Sequence, residues 1–173
     1  SGFYIDGAGT DSFVDRTVDK EGGASLRFDN VNGNGRIYQT FAVKPFQQYR
    51  LKVWMQAQNL TAGDVSIQLW STKTGERIQW GKIQLPTADG YHQDVNYFEN
   101  FSTNGWVEQT ITFNSFDHGE IELIFGMWES EGGQIWWDAL RIEAVPTLNI
   151  LRRGDLPLTV MGSNGVNYQE SYD

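Results

Sequence analysis

Glycine clusters divide this chain into short segments that alternate between apolar and polar residues, and no apolar repeat of 3.6 residues survives for three turns anywhere. The clusters are Gly22-Gly23, Gly33 with Gly35, and Gly132-Gly133. Between them lie runs rich in Val, Ile, Thr and aromatic residues, with turns about every ten residues. From Tyr49 to Ala57, one face carries Tyr49, Leu51, Val53 and Met55, and the other carries Arg50, Lys52, Trp54 and Gln56. Val65, Ile67 and Leu69 likewise oppose Ser66, Gln68 and Trp70, and Val107, Ile111 and Phe113 oppose Glu108, Thr110 and Thr112. Side chains on a strand leave alternate faces, whereas a helix needs an i, i+3, i+4 stripe. The expected fold class is therefore all-β, an antiparallel β-sandwich or barrel.

The expected strands cover 3–6, 12–18, 24–29, 35–43, 48–58, 64–71, 77–85, 105–114, 119–128 and 133–145. Residues 86–104 form a long irregular segment holding Tyr91, His92, Tyr97, Phe98 and Phe101. Long loops in compact domains are usually functional or disordered, and an aromatic one favours function. After Pro146 the pattern weakens, so 1–145 is read as the sandwich and 146–173 as a linker or tail toward a further domain, able to pack on the sandwich. A chain of 173 residues is enough for one domain with a real core.

Charge and composition exclude several functions. The net charge is −9, which argues against nucleic acid or anionic lipid as partner, since both demand clustered Lys and Arg. No apolar run approaches the ~20 residues of a membrane span, and the first residues carry no signal-peptide pattern. Cysteine is absent, which removes disulfides, thiol catalysis and thiolate metal sites. Seven Trp, seven Tyr and ten Phe make up 14% of the chain. That exceeds what a core of this size absorbs and points to a surface that works by stacking.

The order of motifs resembles a known family. Gly22-Gly-Ala-Ser-Leu-Arg-Phe28 is similar to a "G-x-x-S-L-x-F" strand. Tyr38-Gln-Thr-Phe-Ala-Val-Lys-Pro45 and Tyr49-Arg-Leu-Lys-Val-Trp-Met-Gln-Ala57 are similar to a "Y-Q-T-V-x-V-x-P … Y-x-L-x-x-W-x-x-A" pair. Gly105-Trp106, Thr110-Ile-Thr-Phe113, Ile121-Glu-Leu123 and Gln134-Ile-Trp-Trp-Asp-Ala-Leu140 follow in order. Over roughly residues 20–145 the chain resembles the jelly-roll carbohydrate-binding modules of the family 4, 9 and 22 type. It departs from them at Gly2-Phe-Tyr-Ile-Asp6, where "N-G-x-F-E" is usual, and at Asp138-Ala-Leu140, where "D-D-V" is usual. The resemblance implies a jelly-roll sandwich that binds polysaccharide without catalysis. It also implies a secreted, monomeric module covalently linked to a catalytic domain, with a structural calcium tying the first strand to the last. By position, Asp138 and Glu21 would be ligands of that calcium, with Asp6 as a weaker third.

For the sugar site, alternation places Lys52, Trp54 and Gln56 beside Ser66, Gln68 and Trp70 if 49–57 and 65–70 form a hairpin. Arg36 and Tyr38 on the preceding strand would extend that face. A pyranose packs its C–H groups on indole, and its hydroxyls pair with planar amides and charged groups. The competing reading is that a tail or loop covers Trp54 or Trp70. Trp80, Tyr91, His92, Tyr97, Trp128, Trp136 and Trp137 form a second tier. Trp136 and Trp137 must point opposite ways, and Trp106 is assigned to packing. Neither His92 nor His118 sits in a metal-ligand spacing. A rival enzyme reading rests on His118-Gly-Glu-Ile-Glu-Leu-Ile-Phe125, which looks faintly like the "G-E-I-D" strand of laminarinase-type glycoside hydrolases. Glu120 and Glu122 share a face there, but Ile124 and Phe125 stand where a third carboxylate is expected. A structural or adhesion sandwich is the third reading.

Overall fold

The computed structural model describes residues 4–6, 11–145, 159–161 and 167–169, and these contain strands and turns but no helix. The strands are β1 (Tyr4–Asp6), β2 (Asp11–Asp15), β3 (Ser25–Asp29), β4 (Gly33–Ala42), β5 (Gln48–Ser71), β6 (Arg77–Lys82), β7 (Gln84–Pro86), β8 (His92–Asp94), β9 (Phe98–Phe101), β10 (Val107–Asn114), β11 (Glu120–Ala144), β12 (Thr159–Met161) and β13 (Asn167–Gln169). Every pairing is antiparallel. β12 pairs with β13, and β7 pairs with β8, each as a two-stranded sheet.

The two longest strands organise the rest. The first half of β5 lies between β10 and the second half of β11, which in turn pairs with β3, and β3 with β2. The second half of β5 lies between β6 and the first half of β11, which pairs with β4, and β4 with β1. Two layers result, ordered β2-β3-β11-β5-β10 and β1-β4-β11-β5-β6, with β5 and β11 bending from one into the other. This is the expected all-β, antiparallel sandwich. The expected hairpin of 49–57 and 65–70 is corrected: those segments are the two halves of one bent strand, and 119–128 with 133–145 are the two halves of another.

The bend sits where the backbone takes left-handed conformations, at Asn59 (φ 49°) on β5 and at Glu129 (φ 53°), Gly132 (φ 144°) and Gly133 (φ 91°) on β11. Register shifts between Met127 and Ser130, and again up to Gln134, are the bulges that let the paired strands turn together. Backbone groups released by the bend find partners in the loop after β9. The Asn59 amide donates to Ser102 Oγ at 2.9 Å, and the Ala57 amide to Thr103 Oγ1 at 3.0 Å.

Folding each long strand back on itself lets its own halves pack face to face. Phe125 meets Trp137 edge to face at 5.2 Å, and Phe41 of one layer meets Phe113 of the other at 6.4 Å. Leu51, Val53 and Met55 from one half of β5 join Ile67 and Leu69 from the other in a single buried core. The apolar alternation read from the sequence is the inner face of both layers, and each layer therefore presents a separate outer face.

Candidate functional site

The outer face of the first layer is covered in part. Trp54 and Gln56 lie on it, with Trp136 opposite Gln56 and Asp138 opposite Trp54. The loop between β2 and β3 folds across: the amides of Lys20 and Glu21 donate to Asp138 Oδ2 at 2.7 and 2.9 Å. Lys20 Nζ sits 4.1 Å above the Trp54 ring. Trp136 and Trp137 point opposite ways, yet both are buried, Trp137 in the core and Trp136 under this cover. The Trp136 indole N–H donates to Asp15 Oδ2 at 3.0 Å, and the Arg27 guanidinium lies 4.9 Å over its ring.

Asp15 is the polar centre of that cover. The hydroxyl and amide of Thr17 and the indole of Trp136 donate to it, and Arg27 pairs with it at 3.2 Å. Those bonds, the Thr17 hydroxyl first, hold its carboxyl far below the usual 3.8 against the opposing cost of burial. A carboxyl with a depressed native value adds stability that is complete above about pH 4 and is lost as pH falls through the native value. The melting temperature is therefore expected to decline below about pH 4, and Asp15→Asn to lower it at neutral pH by a margin that shrinks with acidification. Thermal scans of both proteins across pH check this.

The residues implied as calcium ligands are only partly together. Asp138 and Glu21 are neighbours, but Asp138 Oδ2 is taken by two amide N–H groups and Asp138 Oδ1 accepts from the Ala139 amide at 2.6 Å. Glu21 pairs with Arg141. Amide hydrogens and a guanidinium around these oxygens are the wrong polarity for a cation, so this donor set does not fit calcium. The side chain of Asp6 lies outside the described residues. Among the described residues no group of three or more His, Cys, Asp or Glu side chains could share an ion. Asp138→Ala is expected to destabilise by about 1–2 kcal/mol by unlatching the loop, with a chelator leaving the melting curve of the parent chain unmoved.

The outer face of the second layer gathers the other half of the expected site. Trp70 lies opposite Glu122 of β11, Gln68 opposite Ile124, Ser66 opposite Gly126, and Asp64 opposite Trp128. On the far side of β11, Tyr38 pairs with Ile124 and Arg36 with Gly126. Trp80 and Lys82 of β6 pair with Gln68 and Ser66. Trp70, Gln68, Arg36, Tyr38 and Trp80 are thus brought to one surface, joined by Trp128, Asp64 and Glu122. Trp54 and Gln56 are excluded from it, because the bend at residues 59–60 sends the two halves of β5 to opposite sides of the sandwich.

A hydrogen-bonded ladder runs along this face of β5. The Trp70 indole N–H donates to Gln68 Oε1 at 3.1 Å, Gln68 Nε2 to Ser66 Oγ at 3.2 Å, and Ser66 Oγ to Asp64 Oδ2 at 3.0 Å. Ser66 and Gln68 are buried at 0% and 7% exposure, so on the expected sugar face these two side chains lie beneath the surface. They fix the indole plane of Trp70 from beneath. Asp64 is half-buried, and that burial raises its carboxyl value, opposed by the Ser66 hydrogen bond and by the charges of Lys82 and Arg77. Trp80 is 44% exposed. From Asp64 to Trp70 the face spans roughly 20 Å, the reach of an oligomeric rather than a monomeric ligand.

The remaining candidates lie around this face. Beyond β6 a polar groove of about 350 Å³ is lined by Trp80, Lys82, Gln84, Asp94 and Thr110. The segment carrying Tyr91 and Tyr97 is anchored beside it by Lys82 to Asn96 and by the Val95 amide to the Ile83 carbonyl. Both tyrosines are exposed, at 74% and 59%. His92 lies in β8, with its side chain outside the described residues. The segment 86–104 is less irregular than expected, since β8 and β9 fall inside it. Trp106 is half-buried beside a cleft of about 550 Å³ shared with Leu85, Pro86 and Phe101.

No family model matches the sequence, and no curated protein matches it. Solved structures do match the fold. The family 22 xylan-binding domain of Paenibacillus barcinonensis Xyn10C superposes with a TM-score of 0.58 at 12% identity, covering 84% of this chain and 87% of that one. A module designated TmCBM61, solved with β-1,4-galactotriose, gives a TM-score of 0.55 at 13% identity, covering 84% and 90%. The Clostridium thermocellum xylanase 10B fragment that joins a family 22 module to its family 10 catalytic module gives 0.54 at 12% identity, covering 86% of this chain and 27% of that one. The chain has the β-sandwich fold of carbohydrate-binding modules.

Proposed function

We propose that this chain is a non-catalytic module that holds a polysaccharide chain across the outer face of its second layer, on Trp70 and Trp80. The observation that carries the reading is the ladder from Trp70 through Gln68 and Ser66 to Asp64. It satisfies the buried Gln68 and Ser66 and at the same time holds a part-exposed indole in one orientation at the surface. Similarity of fold to sugar-binding modules supports the same reading. The carboxylates of this face speak against hydrolysis. Asp64 and Glu122 stand at opposite ends of it, roughly 20 Å apart along the strands, far beyond the 5–5.5 Å of a retaining pair. Glu120 and Glu122 share a face, as alternation requires, but Ile124 and Gly126 continue that row without a further carboxylate.

Such a module raises the effective concentration of a tethered catalytic domain at its substrate. A secreted, glycan-degrading parent is the setting we favour, by analogy with the xylanase of similar fold. Affinity electrophoresis against xylan, β-glucan, mannan and galactan, beside a reducing-sugar assay, tests the reading. Retardation without sugar release is expected. Release of reducing ends would return the enzyme reading, and absence of retardation with every glycan would favour a structural sandwich.

A further inference from the structure

Arg77 occupies the aromatic surface on which that reading depends. Its guanidinium lies 4.7 Å from the centroid of Trp80 and 5.7 Å from that of Trp70. It makes no hydrogen bond and no ion pair with any described residue, although Asp64 lies within reach of its charge. Four other cations are paired with carboxylates: Arg27 with Asp15 and Asp29, Arg141 with Glu21, Lys52 with Glu108, Lys73 with Asp117. With 22 carboxylates against 13 Lys and Arg in the sequence, acids are not scarce. The neighbouring cation, Lys82, lies 5.2 Å over the same Trp80 ring and is hydrogen-bonded to a neutral amide, Asn96.

A guanidinium held beside indole faces and without a carboxylate partner keeps N–H donors available for a carboxylate or sulfate, which it can take through two parallel bonds. A neutral sugar packing on the indoles gains nothing from this charge. A sugar bearing an anionic substituent keeps Arg77 in place and gains a charge-assisted bond. Building on the platform reading, we infer that the ligand is an acidic polysaccharide, with Arg77 receiving its carboxylate or sulfate while the sugar ring packs on Trp80. This face also carries the carboxylates of Asp64 and Glu122, from which an anionic substituent must keep its distance; the rest of the −9 charge is largely screened beyond about 8 Å at physiological salt.

The test compares matched pairs by affinity electrophoresis and titration of the whole chain: polygalacturonate against its methyl ester, a sulfated galactan against its desulfated form, and glucuronoxylan against unsubstituted xylan. The anionic member of at least one pair is expected to bind at least about tenfold more tightly, with affinity falling as sodium chloride rises. Which pair responds distinguishes carboxylate from sulfate. Arg77→Ala should bring that ratio close to one, Arg77→Lys should restore part of it, and Lys73→Ala, an exposed cation paired with Asp117, should leave it unchanged. Arg77 is exposed, so its variants are expected to melt with the parent. Equal binding of both members of every pair, or an anionic preference that survives Arg77→Ala, overturns the acidic ligand. If neutral glycans bind without charge preference and lose affinity in Trp80→Ala, the platform stands and only the acidic ligand falls. If no polysaccharide binds, both fall.

Discussion

Gly133→Ala is expected to cost at least about 3 kcal/mol and to lower the melting temperature by roughly 10 °C, or to prevent accumulation of folded protein altogether. A Cβ at residue 133 would lie 2.2 Å from the Asn59 carbonyl oxygen and 2.5 Å from Leu60 Cα, both backbone atoms that cannot swing aside. The position also has φ 91°, which side chains rarely adopt. This is the level at which β5 and β11 turn together from one layer to the other, so displacement there disturbs both layers. Gly126→Ala should behave similarly, because its Cβ would meet the Gly35 carbonyl oxygen at 2.1 Å. Gly132→Ala is the internal control: φ is 144°, but nothing lies within 4 Å of the added carbon. It carries backbone strain without collision and should cost clearly less. Thermal and urea unfolding of the three variants decides the point, and equal losses at 132 and 133 would show that close approach of the strands is not what selects glycine.

Trp80→Ala is expected to weaken polysaccharide binding by about 2 kcal/mol, roughly 30-fold, with little change in melting temperature. Its indole is 44% exposed at the edge of the second layer, so truncation removes contact area without opening the core. Trp70→Ala should weaken binding comparably but also cost some stability, since the removed indole leaves Gln68 Oε1 without its donor. Gln68→Ala should act through Trp70, loosening the ring and reducing affinity less than either tryptophan variant. Trp54→Ala is the discriminating control. It lies on the opposite side of the sandwich beneath Lys20, so it should lower stability and leave binding intact in whatever protein remains folded. Titration beside thermal melting separates the outcomes. Loss of binding in Trp54→Ala with none in Trp70→Ala or Trp80→Ala would move the site to the first layer.

The sequence by itself determined the class of fold and the inner faces of the strands. Alternation at Leu51, Val53 and Met55, and at Ile67 and Leu69, is a local property of an extended chain, and those residues are core in the structure. The opposite pointing of Trp136 and Trp137 follows from the same rule. The membership of the outer faces could not be read this way, because period two says that Trp54 and Trp70 both leave the core without saying on which side of the molecule. Only tertiary structure decided that, through left-handed residues and bulges at the bend of β5 and β11 that turn the expected hairpin of 49–57 and 65–70, and the expected separate strands 119–128 and 133–145, into two bent strands. Gly132-Gly133 was visible as a turn signal, but its partner at the bend is Asn59, a residue no periodicity marks. The covering of Trp136 by the loop between β2 and β3, and the placing of Arg77 across Trp70 and Trp80, likewise depend on contacts between segments distant in sequence or on strand pairing. Alternation fixes which way a side chain leaves its own strand; what it then meets is set by the strands and loops that fold against it.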